Sequence, residues 1–363
     1  MSTLHLDNLH IKHFKCFDSF ELTDIQRVNL IGGKNNVGKT SLLEAIEIVV
    51  SASTPRELII QINKMLYRRQ VTGNRGAVIE IDFLHSEGNA TELLTNSRRC
   101  RISLVGKNSK LKQQSLFGKP HDFYEYEDDE DISMSKLLFS VDSDEEIVPA
   151  SYFLRRKPGY LIRASKRDNQ NSPSVNYIES KKLDDNDIAI LYGSLIDLNR
   201  EAFIDESLSL FDENILSIKQ RAIDDGIIVL KLLLKNQTSP VLLSSLGEGV
   251  NRYIAILCAI WASKDGVLLI DEIENGIHYS NYKKIWKLIH QASADANCQL
   301  FITSHSKECI EAFSETLSEP ENIVSGIYYE MYKNIKKETI SVSARDRGQL
   351  HYTLTHNGNF RGE

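Results

Sequence analysis

Long apolar runs are missing from this chain. Of its 363 residues 41% are hydrophobic, but no stretch approaches the ~20 consecutive apolar residues that a membrane span requires. The greasiest run, residues 227–234, is strand-sized and contains Lys231. The opening residues carry neither the basic nor the apolar region of a secretory signal, so a cytoplasmic location is expected, with no membrane partner. Cysteine is sparse: Cys16, Cys100, Cys258, Cys298 and Cys309 are scattered and form no Cys-x-x-Cys pair. That spacing argues against a disulfide framework or a zinc site, and for free thiols in a reducing compartment. Positive charge is not in excess either. With 43 Lys and Arg against 50 Asp and Glu, the net charge is −7, which does not advertise nucleic-acid binding. Two local basic clusters remain, Arg98-Arg99-Cys100-Arg101 with Lys107, Lys110 and Lys112, and Arg155-Arg156-Lys157 with Arg163, Lys166 and Arg167. Each reads first as solvated surface and second as a contact for DNA or a protein partner. No sustained heptads occur, which excludes a long coiled-coil arm, and no internal repeat is visible.

What is present begins at Gly33-Lys34-Asn35-Asn36-Val37-Gly38-Lys39-Thr40-Ser41. Gly-x4-Gly-Lys-Thr is the spacing of a phosphate-binding loop. The glycines let successive N–H groups curl toward phosphate oxygens. Lys39 would reach the β- and γ-phosphates of ATP, and the Thr40 hydroxyl would take a place on Mg²⁺. The flanks fit: Arg27-Val28-Asn29-Leu30-Ile31 reads as a buried strand, and residues 41–50 have helical apolar spacing. That helix would turn the positive end of its dipole to the nucleotide. The competing reading is a glycine-rich turn without a ligand.

Before the loop, residues 9–14 and 15–22 read as two strands. After it, Thr54-Pro55 breaks the helix and residues 57–67 resume helical spacing. Residues 78–83 and 101–105 alternate as strands. The stretch 107–150 is polar and carries the acidic runs 125–131 and 142–146; both read as solvated loop, because no buried strands flank them to build a metal cage. A second polar stretch covers 166–176. Helical spacing returns over 188–203 and 203–211, and residues 215–218 and 227–234 look like paired strands about an Asp224-Asp225-Gly226 turn. Residues 323–332, 338–344 and 350–355 read as closing strands.

Three further segments complete a candidate site. Val267-Leu268-Leu269-Ile270-Asp271-Glu272 is a buried strand ending in two acids. Asp271 would hold Mg²⁺, and Glu272 is placed to orient and deprotonate an attacking water; a surface turn is the plainer alternative. Gln299-Leu300-Phe301-Ile302-Thr303 then ends in Ser304-His305-Ser306. About 30 residues and one helix separate it from the acidic strand, the order expected of an adjacent parallel strand. His305 is assigned to sensing the γ-phosphate. Ser244-Ser245-Leu246-Gly247-Glu248-Gly249 opens a helix that runs to Trp261, and small residues at a helix N-terminus make an anion site. Beside a complete phosphate loop that site is redundant unless it serves another protomer's nucleotide.

Taken together, phosphate loop, serine-glycine signature, Asp-Glu strand and switch histidine resemble the head of ABC-type ATPases. The opening Ile11-Lys12-His13-Phe14-Lys15-Cys16-Phe17, the Asn35-Asn36 pair, and Asp271-Glu272-Ile273-Glu274-Asn275-Gly276-Ile277-His278 look like the RecF, SMC and OLD branch. Within it the chain resembles stand-alone prokaryotic ATPases of anti-phage systems such as PARIS and Septu. The resemblance covers about 1–110 and 185–320. It implies an α/β fold: a β-rich N-terminal lobe (1–106), an inserted irregular or helical lobe (107–184), a mostly parallel core sheet flanked by helices within a signature and switch lobe (185–320), and closing strands (321–363). It further implies Lys39 and Thr40 on ATP and Mg²⁺, Asp271 on Mg²⁺, Glu272 as base and His305 as switch. Ser245, Gly247 and Gly249 would contact the γ-phosphate in trans, making a homodimer or larger homo-oligomer. The signature departs from Leu-Ser-Gly-Gly-Gln, and no glutamine loop can be located. The implied function is an ATP-hydrolysing dimerisation switch for a separate, nuclease-like effector in phage defence. A RecF-like DNA-repair ATPase is the alternative. A fused nuclease, as in OLD proteins, is disfavoured because the stretch after His305 is short and holds no Asp-x-Asp.

Overall fold

The computed structural model describes residues 4–70, 90–105, 136–149, 173–181, 183–223, 228–334, 336 and 338–356. The strand expected over 78–83, the acidic run 125–131, the turn at 224–226 and the basic residues from Lys107 to Lys112 and Arg155 to Arg167 lie outside them. The chain divides into two compact units that interleave along the sequence.

The first unit draws on Met1–Asp7, Asp24–Leu43 and Pro173–Glu363. Its main sheet runs, in spatial order, β15 (Thr339–Arg345), β14 (Gly326–Asn334), β3 (Val28–Gly33), β13 (Gln299–Thr303), β12 (Val267–Ile270) and β8 (Val175–Ile178). All neighbours are parallel except β14 and β15. β3, β12 and β13 are buried along their whole length, and their continuous apolar runs are what a parallel sheet covered on both faces demands. The expected adjacency of the acidic and histidine-bearing strands is observed, with Val267 in register with Gln299 and Ile270 with Ile302.

Helices of this unit follow local rules. α3 (Asp185–Asp197) is capped by the Asp184 carboxylate, which accepts from Asn186 N. It stops at Asn199, which holds a left-handed φ of 53°, so the helical spacing over 188–203 resolves into α3 and a separate α4 (Glu201–Phe211). α5 (Glu248–Ala262) is buried without interruption from Asn251 to Trp261. An α-helix apolar all round belongs in a core, where each Leu or Ile contributes about 1.5–3 kcal/mol by burial. α6 (Tyr282–Asp295) and α7 (Lys307–Leu317) bracket β13 in sequence and pack on each other. A small antiparallel sheet, β11 (Val241–Leu242), β10 (Ile228–Leu234) and β9 (Ile215–Ala222), packs on α3 and α4. The last expected strand, 350–355, is instead α8 (Arg347–Thr355). Asp346 and Gln349 form a reciprocal capping box there, which outweighs the strand preference of Tyr352 and Thr353.

The second unit comprises Asn8–Thr23 and Glu44–Ser172. It carries a six-stranded antiparallel sheet in the order β2 (Phe17–Leu22), β1 (Leu9–Phe14), β4 (Thr91–Leu94), β5 (Arg99–Val105), β6 (Lys136–Val141) and β7 (Asp144–Pro149). α2 (Pro55–Gln70) packs on β6 and β7. Residues 136–149, expected as polar loop, thus form a hairpin. Its two-residue turn is Asp142-Ser143, with Asp142 left-handed at φ 53° and its carboxylate accepting from Arg99 N at 2.8 Å. The described part of the first basic cluster is engaged internally. Arg98 donates to the carbonyls of Val49 and Val50 at the end of α1 (Lys39–Ser51). Arg99 and Arg101 flank Glu92.

Candidate active site

The three buried parallel strands β3, β12 and β13 end side by side, and the sequence-predicted residues sit just beyond their carboxyl ends, where open α/β sheets place ligands. Beyond β3 the loop 33–38 turns into α1. Gly33 holds φ 138° and Gly38 φ 89°, with Asn36 at 63°. A Cβ at Gly33 would lie 2.3 Å from the Met331 carbonyl oxygen, so this glycine is required both by conformation and by packing. Lys34, Asn35 and Asn36 are exposed, whereas Val37, Lys39 and Ser41 are buried. Lys39 Nζ donates to Gly33 O at 2.8 Å and Lys34 O at 2.9 Å. Burial pushes the Lys39 ammonium below its ordinary pKa, against the pull of Glu272, Glu274 and Asp271.

Across the sheet the Thr40 hydroxyl donates to Asp271 Oδ2 at 3.0 Å. The other carboxylate oxygen of Asp271 accepts from Thr303 Oγ1 at 2.6 Å. Thr303 Oγ1 also accepts from Glu272 N at 2.8 Å, while Thr303 O accepts from Ile273 N. One buried hydroxyl therefore ties the end of β13 to both acids after β12. A hydroxyl and a carboxylate oxygen side by side are a hard donor pair that suits Mg²⁺. Among the described residues no group of three or more His, Cys, Asp and Glu side chains is arranged to hold a metal, so such an ion would draw its remaining ligands from water and nucleotide.

Glu272 adopts φ 51°, a left-handed turn that is costly for a glutamate and marks a constrained position. Its Oε2 accepts from Asn275 Nδ2 at 2.7 Å, and its Oε1 lies 3.9 Å from His305 Nδ1. His305 itself is held by Glu274, at 2.9 Å between Nδ1 and Oε1. Four sequence-predicted residues, Thr40, Asp271, Glu272 and His305, are therefore brought together.

The signature residues occupy a different part of this unit. Ser245 ends a short 3-10 turn, Leu243–Ser245, and is exposed. Gly247 is the exposed N-cap of α5 and offers no side chain to its first N–H groups. Nothing lies within 4 Å of a Cβ built on Gly247, but one on Gly249 would come within 2.6 Å of the Gly276 carbonyl oxygen. Gly249 thus has a packing reason within this chain.

Three residues of the site went unassigned in the sequence. Thr303 and Glu274 lie within the segments that carry the predicted acids and histidine, and no motif assigns them a role. Arg252, from the first turns of α5, donates to the carbonyls of Glu179, Asp271 and Glu272, the last two at 2.6 and 3.1 Å. Burial pushes its guanidinium down, against the carboxylates around it, Asp271 foremost. The signal for Arg252 was available in principle, as a charged residue inside an otherwise apolar helix. Cys100, Cys258, Cys298 and Cys309 are buried, as structural thiols are.

Comparison with known proteins decides the family. Residues 5–310 match the AAA ATPase domain. The chain belongs to that family. This AAA ATPase is 24% identical over 343 residues to an ATP/GTP phosphatase of Helicobacter pylori, covering 87% of this chain and 89% of that protein. It is 26% identical over 118 residues to the DNA replication and repair protein RecF of Bifidobacterium longum subsp. infantis, covering 32% of this chain and 27% of that protein. Among solved structures it superposes on an SMC head bound to the C-winged helix domain of ScpA with a TM-score of 0.50, at 12% identity over 94% of this chain and 97% of that one. The fold is accordingly that of an SMC-type head, and the chain is an ATP-hydrolysing enzyme. None of its described helices is long and apolar enough to cross a membrane.

Proposed function

We propose that this AAA ATPase is a dimerisation switch that closes on ATP, opens on hydrolysis, and in doing so controls a separate effector protein. The observation that carries the hydrolytic part is the hydrogen-bonded cluster of Thr40, Asp271, Thr303 and Glu272 at the ends of β3, β12 and β13. Lys39 and the N–H groups of 33–40 would bind the phosphates, and Thr40 with Asp271 would hold Mg²⁺. When bound, that ion neutralises charge on the phosphates as the anhydride breaks. Glu272 would take the proton of the attacking water, with His305 against the γ-phosphate.

The switch part rests on the exposed start of α5. Ser245 and Gly247 present an uncapped helix N-terminus, which suits an anion, and a second copy's nucleotide is the ligand we assign to it. Ser245→Arg should then bind ATP but not hydrolyse it, and Lys39→Ala should not bind ATP. A mixture contains heterodimers with one intact composite site, so it should recover activity that both parents lack. Full hydrolysis by Ser245→Arg alone would refute the composite site.

Control of a nuclease-like effector in phage defence is the reading favoured by the resemblance to stand-alone defence ATPases. The partial likeness to RecF favours a second reading, DNA repair. The two separate on duplex binding, which in the second should be strong and should weaken steeply as salt rises.

A further inference from the structure

Glu274 stands three residues beyond Asp271, on the inner side of the turn that left-handed Glu272 makes. Its side chain is only 6% exposed, and its two oxygens are used unequally. Oε1 accepts from His305 N at 2.6 Å and from Ser306 N at 3.2 Å, and lies 2.9 Å from His305 Nδ1. Oε2 is buried with no hydrogen-bond partner among the described residues. Glu274 also acts electrostatically on Lys39 and Arg252, so its charge belongs to the site.

We infer that Glu274 is a positioning residue for ATP hydrolysis, holding the His305 ring through Nδ1 so that Nε2 is the nitrogen presented to the phosphate. This rests on the proposed roles of Glu272 and His305. A residue needed only to cap the turn after β13 could be an asparagine or serine, which would satisfy the backbone N–H groups without burying a charge. An orphaned buried carboxylate oxygen is destabilising, and such costs persist where function requires the group. The third contact, to the ring nitrogen, is the one a cap does not explain. Fixing one imidazole nitrogen on a carboxylate sets which nitrogen faces the substrate, and sets the ring's orientation. Among the described residues the exposed ring of His305, 46% accessible, has otherwise the more distant Glu272 beside it, at 3.9 Å.

The test is a double-mutant cycle on the full chain. Glu274→Gln keeps shape but leaves a neutral amide oxygen in place of the charged Oε1 that serves both backbone and ring, and puts an amide nitrogen where the buried Oε2 has no partner among the described residues. It should lower kcat roughly tenfold or more, with KM for ATP and analogue affinity within about twofold, in line with losing the group that orients a catalytic histidine. In a His305→Ala background the same substitution should change kcat by less than about twofold, because the ring it positions is gone. Should Glu274→Gln fail to fold by thermal unfolding, Glu274→Asp, which keeps the charge but draws it back, is read in the same cycle with the same expectation. Equal losses in both backgrounds, an unchanged kcat in Glu274→Gln, or a wild-type kcat in His305→Ala would each overturn the inference. Glu272→Gln, measured in parallel, separates the two levels. If it hydrolyses at the wild-type rate the parent reading falls; if it is inactive while the cycle is additive, only the role of Glu274 falls.

Discussion

Replacing Thr303 by Val tests whether one buried hydroxyl organises both acids. Val matches Thr in volume, so the change removes two hydrogen bonds and little packing. The first bond is the 2.6 Å donation to the Asp271 carboxylate, and hydrogen bonds to charged groups contribute about 1.5–3 kcal/mol. The second is the 2.8 Å acceptance from Glu272 N; losing it leaves a backbone donor unsatisfied, a penalty of about 1–3 kcal/mol. The two losses share a site and overlap, so a total of about 3 kcal/mol is expected rather than the sum of the maxima. For units of this size that lowers Tm by roughly 6–12 °C, at about 2–4 °C per kcal/mol. The control is Thr303→Ser, which keeps the hydroxyl and gives up one methyl, about 1 kcal/mol. Thermal unfolding and steady-state ATPase assays should agree: Ser close to wild type in kcat, Val strongly reduced because both acids lose the hydroxyl that ties them to β13. Val with wild-type Tm and kcat would show that Asp271 and Glu272 need no tie to β13, and the geometric argument for the site would fail.

Other expectations follow from the same site and from one buried histidine. Glu272→Gln should keep nucleotide affinity within about twofold while kcat drops about 10²–10⁴-fold, the span expected of a general base, and it should accumulate an ATP-bound dimer visible by size exclusion. Lys39→Ala should weaken binding of an ATP analogue at least tenfold, a loss of about 1.4 kcal/mol or more, read by fluorescence titration. His290 is buried among Trp286, Phe313 and Asn322, and burial lowers its pKa to about 4. The folded chain keeps it neutral while the unfolded chain protonates it below about 6.5. Stability should therefore fall as pH drops from about 6.5 to 4, by about 3 kcal/mol over that window, and Tm of His290→Phe should lose that part of the pH dependence.

How far the fold can be read from residues depends on whether the signal is local. β3, β12 and β13 are legible because strands covered on both faces must be apolar throughout, and the phosphate loop because only glycine tolerates φ near 138° against the Met331 carbonyl. β4 and β8 have four residues each, too few for alternation to rise above chance, and each is completed by a partner distant in sequence. The β6–β7 hairpin is hidden by charge: Asp144, Glu145 and Glu146 read as loop, yet Asp144 and Glu145 face solvent, where a strand is free to be acidic, and Glu146 is buried. α8 was misread although its capping box, Asp346 to Gln349, is present in the sequence.

The site divides along the same line. Lys39, Thr40, Asp271, Glu272 and His305 are predicted from motif and order, because the phosphate loop, the acid pair and the histidine each follow the carboxyl end of one strand, β3, β12 and β13. Thr303, Glu274 and Arg252 are invisible by that route, since each acts through a partner set by packing. Thr303 reaches Asp271 across the parallel β12–β13 pairing, Glu274 reaches His305 thirty-one residues on, and Arg252 reaches carbonyls that have no sequence identity at all. Such residues decide how firmly the predicted ones are held. A chain could keep every motif residue, exchange Thr303 or Glu274, and lose hydrolysis with its phosphate loop intact. That outcome is what separates geometry from motif as the cause of catalysis, and the Thr303 and Glu274 variants are the two places in this molecule where the distinction can be measured.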